Sequence, residues 1–521
     1  MEYLTHPRIV PGKVEKRAYQ VNMAAGCEKK NTLVILPTSL GKTVVAIQVI
    51  ADFLDRGKVL LMAPTKPLVD QHGASMESML TCTSTAILNG HMKPEKRAAA
   101  VSENELIIAT PQTVSNDLLE GRYNLDDFSL VIYDEAHRAT GNYAYVTVAQ
   151  YCHSSIRSIG MTASPGSDEK RIEEVCVNLD LRRIDIRSED DPDVSPYVHD
   201  TYINRITVNM PQDLLEVISL LRSIQERYAD ELRGMHLVMG NWAVSTKHLL
   251  NIQRNLQARL ASGEVTSTVY RGLSLTGKSI KVLHAINLAE TQGITILKSY
   301  LGKLEEEAEQ EKGGRSAREI TQRPEYRLVR NIVDTTRVEH PKISRAMSIV
   351  SRTLNESPES KVIIFTQYRG TCDLLETKLA SIPGAKVSKL VGQAKGGMTQ
   401  KEQIKLLDGF REGQSNVLVA TQVGEEGLDI AGADVVLFYE PVPSEIRTIQ
   451  RRGRTGRKND GEVYVLVAKG TADEVFEKVA KEREELMRKK LELLSVKLSQ
   501  GRSGFPNRSQ RRIDSYDDMN P

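Results

Sequence analysis

Short apolar runs alternate with helix-length stretches twice along this chain, and that rhythm restricts its fold more than any other feature. The first set is Thr32-Leu33-Val34-Ile35-Leu36, Val59-Leu60-Leu61-Met62, Leu106-Ile107-Ile108-Ala109 and Leu130-Val131-Ile132-Tyr133. Runs that are apolar at every position mark strands buried on both faces, and the helical stretches between them supply the cover. The rhythm returns with Val362-Ile363-Ile364-Phe365, Val417-Leu418-Val419-Ala420, Val435-Val436-Leu437-Phe438 and Val463-Tyr464-Val465-Leu466. Two α/β domains are expected, each a doubly wound parallel sheet.

Between them the spacing turns helical. Leu214, Ile218, Leu221 and Tyr228 form one series, Leu249, Ile252, Leu256 and Leu260 a second, and Leu283, Ile286, Leu297, Leu301 and Leu304 a third, interrupted by Gly293. A helical insert is expected, entered through the acidic linker Glu189-Asp190-Asp191-Pro192-Asp193. Glu305-Glu306-Glu307 through Lys312-Gly313-Gly314 reads as a solvated helix end and loop. With 521 residues, the chain has room for about three domains. The expected division is 1–205 and 339–495 for the α/β domains, 206–338 for the insert, and 496–521 for a mobile tail poor in apolar residues.

Lys and Arg total 70 against 68 Asp and Glu, a net charge of +2. Bulk charge therefore does not attract nucleic acid, and any such surface must be a local patch. Hydrophobic content of 40 % excludes a largely disordered chain. No apolar run approaches the ~18 residues of a membrane span, and Met1 to Val10 lacks a secretion signal. Five scattered cysteines (Cys27, Cys82, Cys152, Cys176, Cys372) form no C-x-x-C pair, which argues against a disulfide framework or a thiolate zinc site. A cytoplasmic, reduced setting is expected.

Leu36-Pro37-Thr38-Ser39-Leu40-Gly41-Lys42-Thr43 follows a strand and opens a helix. Backbone N–H groups at a helix start favour phosphate oxygens, Lys42 reaches β- and γ-phosphates, and the Thr43 hydroxyl suits Mg²⁺. Leu36 occupies the first glycine position of the strict phosphate-loop pattern, so the loop alone is a weak signal. Asp134-Glu135-Ala136-His137, just past the run ending at Tyr133, strengthens it. In such a sheet ligands collect at strand ends. There Asp134 would hold Mg²⁺, and Glu135 would orient and deprotonate an attacking water. Upstream, Arg17-x-Tyr19-Gln20 places a glutamine amide where it can meet an adenine edge. Gln450-Arg451-Arg452-Gly453-Arg454-Thr455-Gly456-Arg457 lies in the second α/β domain, which has no phosphate loop of its own. Its guanidinium groups are suited to completing a nucleotide site built by the first domain.

These pieces, with Ala63-Pro64-Thr65-Lys66-Pro67-Leu68, Thr110-Pro111-Gln112, Thr162-Ala163-Ser164 and Ala420-Thr421 to Asp429, stand in the order found in superfamily 2 helicases, which the chain resembles. Val391-Gly392-Gln393, Gly424-Glu425-Glu426-Gly427-Leu428-Asp429 and Tyr439-Glu440-Pro441-Val442-Pro443-Ser444 are similar to archaeal Hef-type helicases and Fanconi-anaemia group M translocases, over residues 1–490. The resemblance implies two RecA-like lobes that close on ATP and Mg²⁺ and walk along nucleic acid. It implies arginine fingers at Arg454 and Arg457, and a closure sensor in which Gln450 meets His137. Gly427 and Asp429 join the nucleotide site. Thr162 and Ser164 couple hydrolysis to movement, and Pro64, Thr65, Thr110, Pro111, Thr366, Gln393, Thr421 and Gly424 line the strand track. Ser39 and Gln422 depart from the family's usual glycine and serine.

The resemblance also implies that the insert is thumb-like and grips duplex or branched DNA; of its basic residues, Arg222, Arg227, Arg254, Arg259, Lys278 and Lys281 either face phosphates or lie on a solvated helix face. A DNA helicase of forks and branched DNA, nucleoid-associated and acting in repair and recombination, is the leading expectation. An RNA or double-stranded RNA translocase, and an ATP-binding scaffold without turnover, are the alternatives. The chain ends without the Glu-Arg-Lys nuclease signature of some relatives, so cleavage is expected only through a separate nuclease. Gln510-x-x-Ile513-x-x-Tyr516 resembles a sliding-clamp peptide, with Asp517 in place of the second aromatic.

Overall fold

The computed structural model describes residues 2–499 apart from 38–39, 82–83, 91, 164–167, 189–190, 198–202, 241–243, 311–313, 393–396, 422–432 and 442–461. In the first lobe, α1 (Ala18–Lys29) precedes β1 (Thr32–Ile35), α2 (Lys42–Phe53), β2 (Lys58–Met62), α3 (Lys66–Met79), β3 (Thr85–Leu88), α4 (Pro94–Glu103), β4 (Leu106–Ala109) and α5 (Pro111–Leu119). Then come β5 (Phe128–Asp134), α6 (Ala144–Gln150), β6 (Arg157–Thr162), α7 (Glu169–Asn178) and β7 (Arg183–Ile186). The strands form one parallel sheet in the order β3-β4-β2-β5-β6-β1-β7. Successive side chains leave a strand on opposite faces. Val34, Leu61, Ile108 and Ile132 accordingly enter one buried cluster, while Leu33, Leu60, Ile107 and Val131 enter the other. Both faces are dry, as the unbroken apolar runs require. Central β6 carries Gly160, where a Cβ would meet Ala136 Cβ and Leu181 Cδ1 at 3.0 Å. The missing side chain lets the segment after β5 pack close to the sheet.

The second lobe is built on β8 (Ile203–Val208), β9 (Val362–Thr366), β10 (Val387–Leu390), β11 (Val417–Thr421), β12 (Val435–Phe438) and β13 (Glu462–Ala468), a six-stranded parallel sheet in the order β10-β11-β9-β12-β13-β8. Its edge strand β8 (Ile203–Val208) precedes the insert in sequence and pairs with β13 (Glu462–Ala468) along its whole length. The boundary expected at 205/206 therefore falls inside a strand of the second lobe, because the backbone of β13 needs that partner. The insert follows as α8 (Gln212–Gly234), α9 (Thr246–Ala261), α10 (Ser267–Thr291), α11 (Ile294–Glu309), α12 (Arg315–Thr321) and α13 (Pro324–Thr335) around one core that includes Leu221, Tyr228, Leu256 and Leu301. Gly293, at φ 94, separates α10 from α11, and a Cβ there would lie 2.7 Å from His340 Cβ. Helix α11 ends at Glu309, but Glu305 and Glu307 are not simply solvated: they pair with Arg330 and Lys281.

The chain continues through α14 (Pro341–Glu356), β9 (Val362–Thr366), α15 (Arg369–Leu379), β10 (Val387–Leu390), α16 (Gln400–Arg411), β11 (Val417–Thr421), β12 (Val435–Phe438), β13 and α17 (Ala472–Ser499). Helix α17 returns to the first lobe, where Leu494 shares a buried cluster with Leu179 and Ile184. A buried polar junction ties insert to second lobe. Lys342 Nζ lies 2.5 Å from Asp473, both wholly buried, while Thr371 donates to Gln292 at 2.6 Å and Ala472 N donates to Glu290 at 2.9 Å. Among the described residues no helix is long and apolar enough to cross a membrane.

Candidate nucleotide site and nucleic-acid track

Strand order brings together what the sequence separates. β6 lies between β1 and β5, so the loop after β1 and the acidic segment after β5 meet across one strand width. Gly41 caps α2 at φ 76 in the left-handed region, a conformation that glycine adopts at little cost. The Leu40 carbonyl accepts from the Tyr19 hydroxyl at 2.8 Å and from the Gln20 amide at 2.9 Å. The Gln20 Nε2 expected at an adenine edge thus braces the loop, and its Oε1 has no partner among the described atoms. Arg17 pairs with Glu15 at 2.9 Å and lies over the Tyr197 ring. Pro37 is half-buried at the loop's start; Thr38 and Ser39 lie outside the described residues.

Lys42 Nζ stands 3.4 Å from Glu135 Oε1. Glu135 itself has φ 51, which turns the chain sharply off β5. Burial pushes the Glu135 carboxyl up, but the Lys42 ammonium and His137 outweigh burial and bring it down to about 2. His137 Nδ1 lies 3.0 Å from Thr162 Oγ1 and 3.3 Å from Glu135 Oε2, so phosphate loop, acidic segment and the end of β6 form one connected cluster. Asp134 is buried; its Oδ1 accepts from Glu135 N at 3.0 Å, and its Oδ2 lies 2.9 Å from His72 Nε2. The Tyr145 hydroxyl is 2.5 Å from the Asp134 carbonyl oxygen and so anchors the strand end. Sequence reading missed Tyr145 and His72. Tyr145 holds a backbone carbonyl, which leaves no sequence signature, and His72 sits two turns inside α3 with its partner Asp134 62 residues away.

The donors here suit Mg²⁺. Among the described residues no three His, Cys, Asp or Glu side chains gather as a dedicated metal cage. One buried carboxylate, Asp134, and the half-buried Thr43 at the start of α2 are the sparse set expected of an ion that keeps its waters and binds substrate phosphates.

The predicted track residues that are described fall at strand ends in corresponding positions of the two sheets. Pro64 and Thr65 follow β2 and open α3, while Thr110 and Pro111 follow neighbouring β4 and open α5. Thr366 and Thr421 end the paired strands β9 and β11. Thr110 shares a 2.8 Å bond with Thr113, whereas the Thr65 and Thr421 hydroxyl oxygens are buried without partners in the described structure. Thr366 donates to Glu440 at 3.1 Å, and Gln367 N donates to the same carboxylate. Burial pushes the Glu440 carboxyl up to about 7.

Ser164, Gln393, Gly424, Gly427, Asp429, Gln450, Arg454 and Arg457 lie outside the described residues, as do Gln422, Gln510, Ile513 and Tyr516. The insert's candidate phosphate contacts are largely engaged within the protein. Arg222 pairs with Glu290 at 2.6 Å, Arg227 with Glu325 at 2.5 Å and Lys278 with Glu319 at 2.6 Å. Arg259 pairs with Glu264, and Lys281 with Glu307. Arg254 alone of the six is exposed without a described ion-pair partner. Acids on neighbouring turns and helices neutralise the others.

Three family models match the chain in order. "Type III restriction enzyme, res subunit" covers 13–167, "Putative ATP-dependent RNA helicase, helical bundle" covers 213–340, and "Helicase conserved C-terminal domain" covers 342–459. The crystal structure of the Pyrococcus furiosus Hef helicase domain aligns with a TM-score of 0.73 and 38 % identity, over 91 % of this chain and 100 % of that one. A Methanocaldococcus jannaschii protein, provisionally assigned as an ATP-dependent RNA helicase, is 38 % identical across 92 % of this chain and 62 % of its own. The DEAD-box ATP-dependent DNA helicase Fancm of Drosophila melanogaster is 31 % identical across 95 % and 36 %, respectively. The ATP-dependent DNA helicase mph1 of Neurospora crassa is 30 % identical across 88 % and 41 %. The chain thus spans 36 % to 62 % of the lengths of these three curated relatives.

Proposed function

The chain belongs to the Hef and Fanconi-anaemia group M branch of the superfamily 2 helicases, which hydrolyse ATP, and on that premise we propose that it translocates on forked and branched DNA and remodels it. The observation that carries the ATP-hydrolysing part of the reading is the Lys42–Glu135 pair beside Asp134. An ammonium and a carboxylate paired across a helix N-terminus are poised for exchange. The β- and γ-phosphates of ATP draw Lys42 away, and Glu135 regains the basicity that the ammonium suppresses. It then takes a proton from the water that attacks the γ-phosphorus as the bond to the β-phosphate oxygen breaks. Mg²⁺, held by Thr43 and Asp134, would neutralise charge developing on the phosphate oxygens. Arg454 and Arg457 supply guanidinium charge from the second lobe, and Gln450 meets His137 on closure. His137 and Thr162 pass the site's state to β6, Ser164 extends that path, and the threonines at the strand ends hold phosphates without reading bases.

DNA is favoured over RNA because the Drosophila, Neurospora and Schizosaccharomyces pombe relatives are named DNA helicases. The RNA reading keeps support from the names of the Methanocaldococcus relative and of the insert's family model. Hydrolysis and strand separation, measured together on a DNA fork, a four-way junction, blunt duplex, single strand and a matched RNA fork, test the choice. The account predicts greatest stimulation by the branched DNAs; greatest stimulation by the RNA fork would overturn it. A role in replication-fork repair near the nucleoid follows from branched DNA as substrate. The tail peptide around Gln510, Ile513 and Tyr516 is a proposed sliding-clamp contact, tested by titrating that peptide against the clamp.

A further inference from the structure

Asp134 is a buried carboxylate, and such a group must be held by donors. One is the N–H of Glu135; the other is His72, whose Nε2 lies 2.9 Å from Oδ2. The imidazole proton sits on Nε2, since a bare lone pair there would face a carboxylate oxygen. The opposite nitrogen, Nδ1, is buried with no described partner. On the same helix Val69 and Met76 are buried apolar residues, and Gly73 packs on Ile87. A side chain needed only to fill this face of α3 would be apolar, so the ring with its orphaned nitrogen marks the bond to Asp134 as its purpose.

We propose that His72 is a positioning residue for the metal–nucleotide site: its Nε2–H fixes the orientation in which the Asp134 carboxylate would receive the Mg²⁺ of the nucleotide. The inference rests on the nucleotide-site reading above. Tied only at Oδ1 by the Glu135 N–H, the carboxylate keeps freedom that must be lost each time the ion binds, whereas the second tie at Oδ2 presents its remaining lone pairs without that loss.

The test is Mn²⁺ binding to the protein–ADP complex, read by electron paramagnetic resonance, alongside ADP binding in EDTA and a thermal melt as a folding check. His72→Phe keeps the volume and removes the donor, and His72→Gln keeps a donor that reaches Asp134. The expected result is Mn²⁺ affinity lowered roughly 10-fold or more in His72→Phe, metal-free ADP affinity within about two-fold of the parent, and recovery to within about three-fold in His72→Gln. Should His72→Phe not fold, His72→Asn, whose shorter amide falls short of Asp134, takes its place. Parent-like Mn²⁺ affinity in the donor-free variant, or equal loss in His72→Gln, overturns the role of His72 while leaving the nucleotide site intact. A parent protein with no metal-dependent ADP complex overturns the nucleotide-site reading itself.

Discussion

Replacing Gly41 with alanine tests the phosphate cradle at its tightest point. The residue sits at φ 76, and its added Cβ would lie 2.6 Å from Gln20 Nε2. A left-handed conformation costs a residue with a Cβ roughly 1–2 kcal/mol. Displacing Gln20 loses its bond to the Leu40 carbonyl, about 1 kcal/mol. In the free protein the loop escapes both costs by relaxing; nucleotide binding demands the cradle again, so the costs appear in affinity. Together, about 2–3 kcal/mol corresponds to roughly 30- to 150-fold weaker binding, read by titration with a fluorescent ATP analogue. Gln20→Ala alone loses the bond and costs about 1 kcal/mol. In the double variant the clash has no partner and the bond is already gone, so the double should bind about as weakly as Gly41→Ala and fall short of additivity by about 1 kcal/mol. Parent-like affinity in Gly41→Ala, or strict additivity, would refute this reasoning.

Other outcomes follow from the charged groups. Lys42→Met should let burial dominate Glu135, raising its carboxyl from about 2 towards or above the ordinary 4.5; carbon-detected NMR of the side-chain carboxyl measures this. In the parent, the depressed Glu135 value contributes stability above about pH 4.5 that is lost as pH falls towards 2, and the variant should show less of that acid loss. Glu440 behaves oppositely: folding raises it from 4.5 to about 7, so stability falls as pH rises through that window. Glu440→Gln should remove the slope and gain about 2 kcal/mol at pH 8 relative to pH 5, measured by urea unfolding at both. Lys342→Met leaves Asp473 buried without its ammonium and should cost about 3–5 kcal/mol, much of it restored when Asp473→Leu is added, as read by thermal unfolding of both variants.

The strands that carry the chemistry were plain in the sequence because they are central and dry on both faces. β1, β2, β4 and β5 lead to the phosphate loop, the track and the acidic segment, and their unbroken apolar runs announced them. Strands β3 and β10 lie at sheet edges with half-exposed positions, and β8 mixes Asn204 and Arg205 into its pattern, so none reads as a buried run. Central β6 was hidden by Arg157, Ser158 and Gly160, although Gly160 is what allows the acidic segment to approach. Within the site, Lys42, Asp134 and Glu135 were legible because chemistry fixes their residue types at strand and helix ends. Tyr19, His72 and Tyr145 act on a carbonyl or on another side chain, and such contacts depend on packing between distant elements. The insert's ion pairs were hidden for a related reason: a basic residue in sequence does not reveal the acid on the next helix that pairs with it.

The central claim is that this site turns ATP over with Glu135 as the base. Phosphate release from Glu135→Gln on fork DNA, set beside its affinity for ATP, tests that most directly. The account predicts release lowered by a factor of about 10² to 10⁴ with ATP still bound about as tightly as by the parent; release at the parent's rate would contradict it.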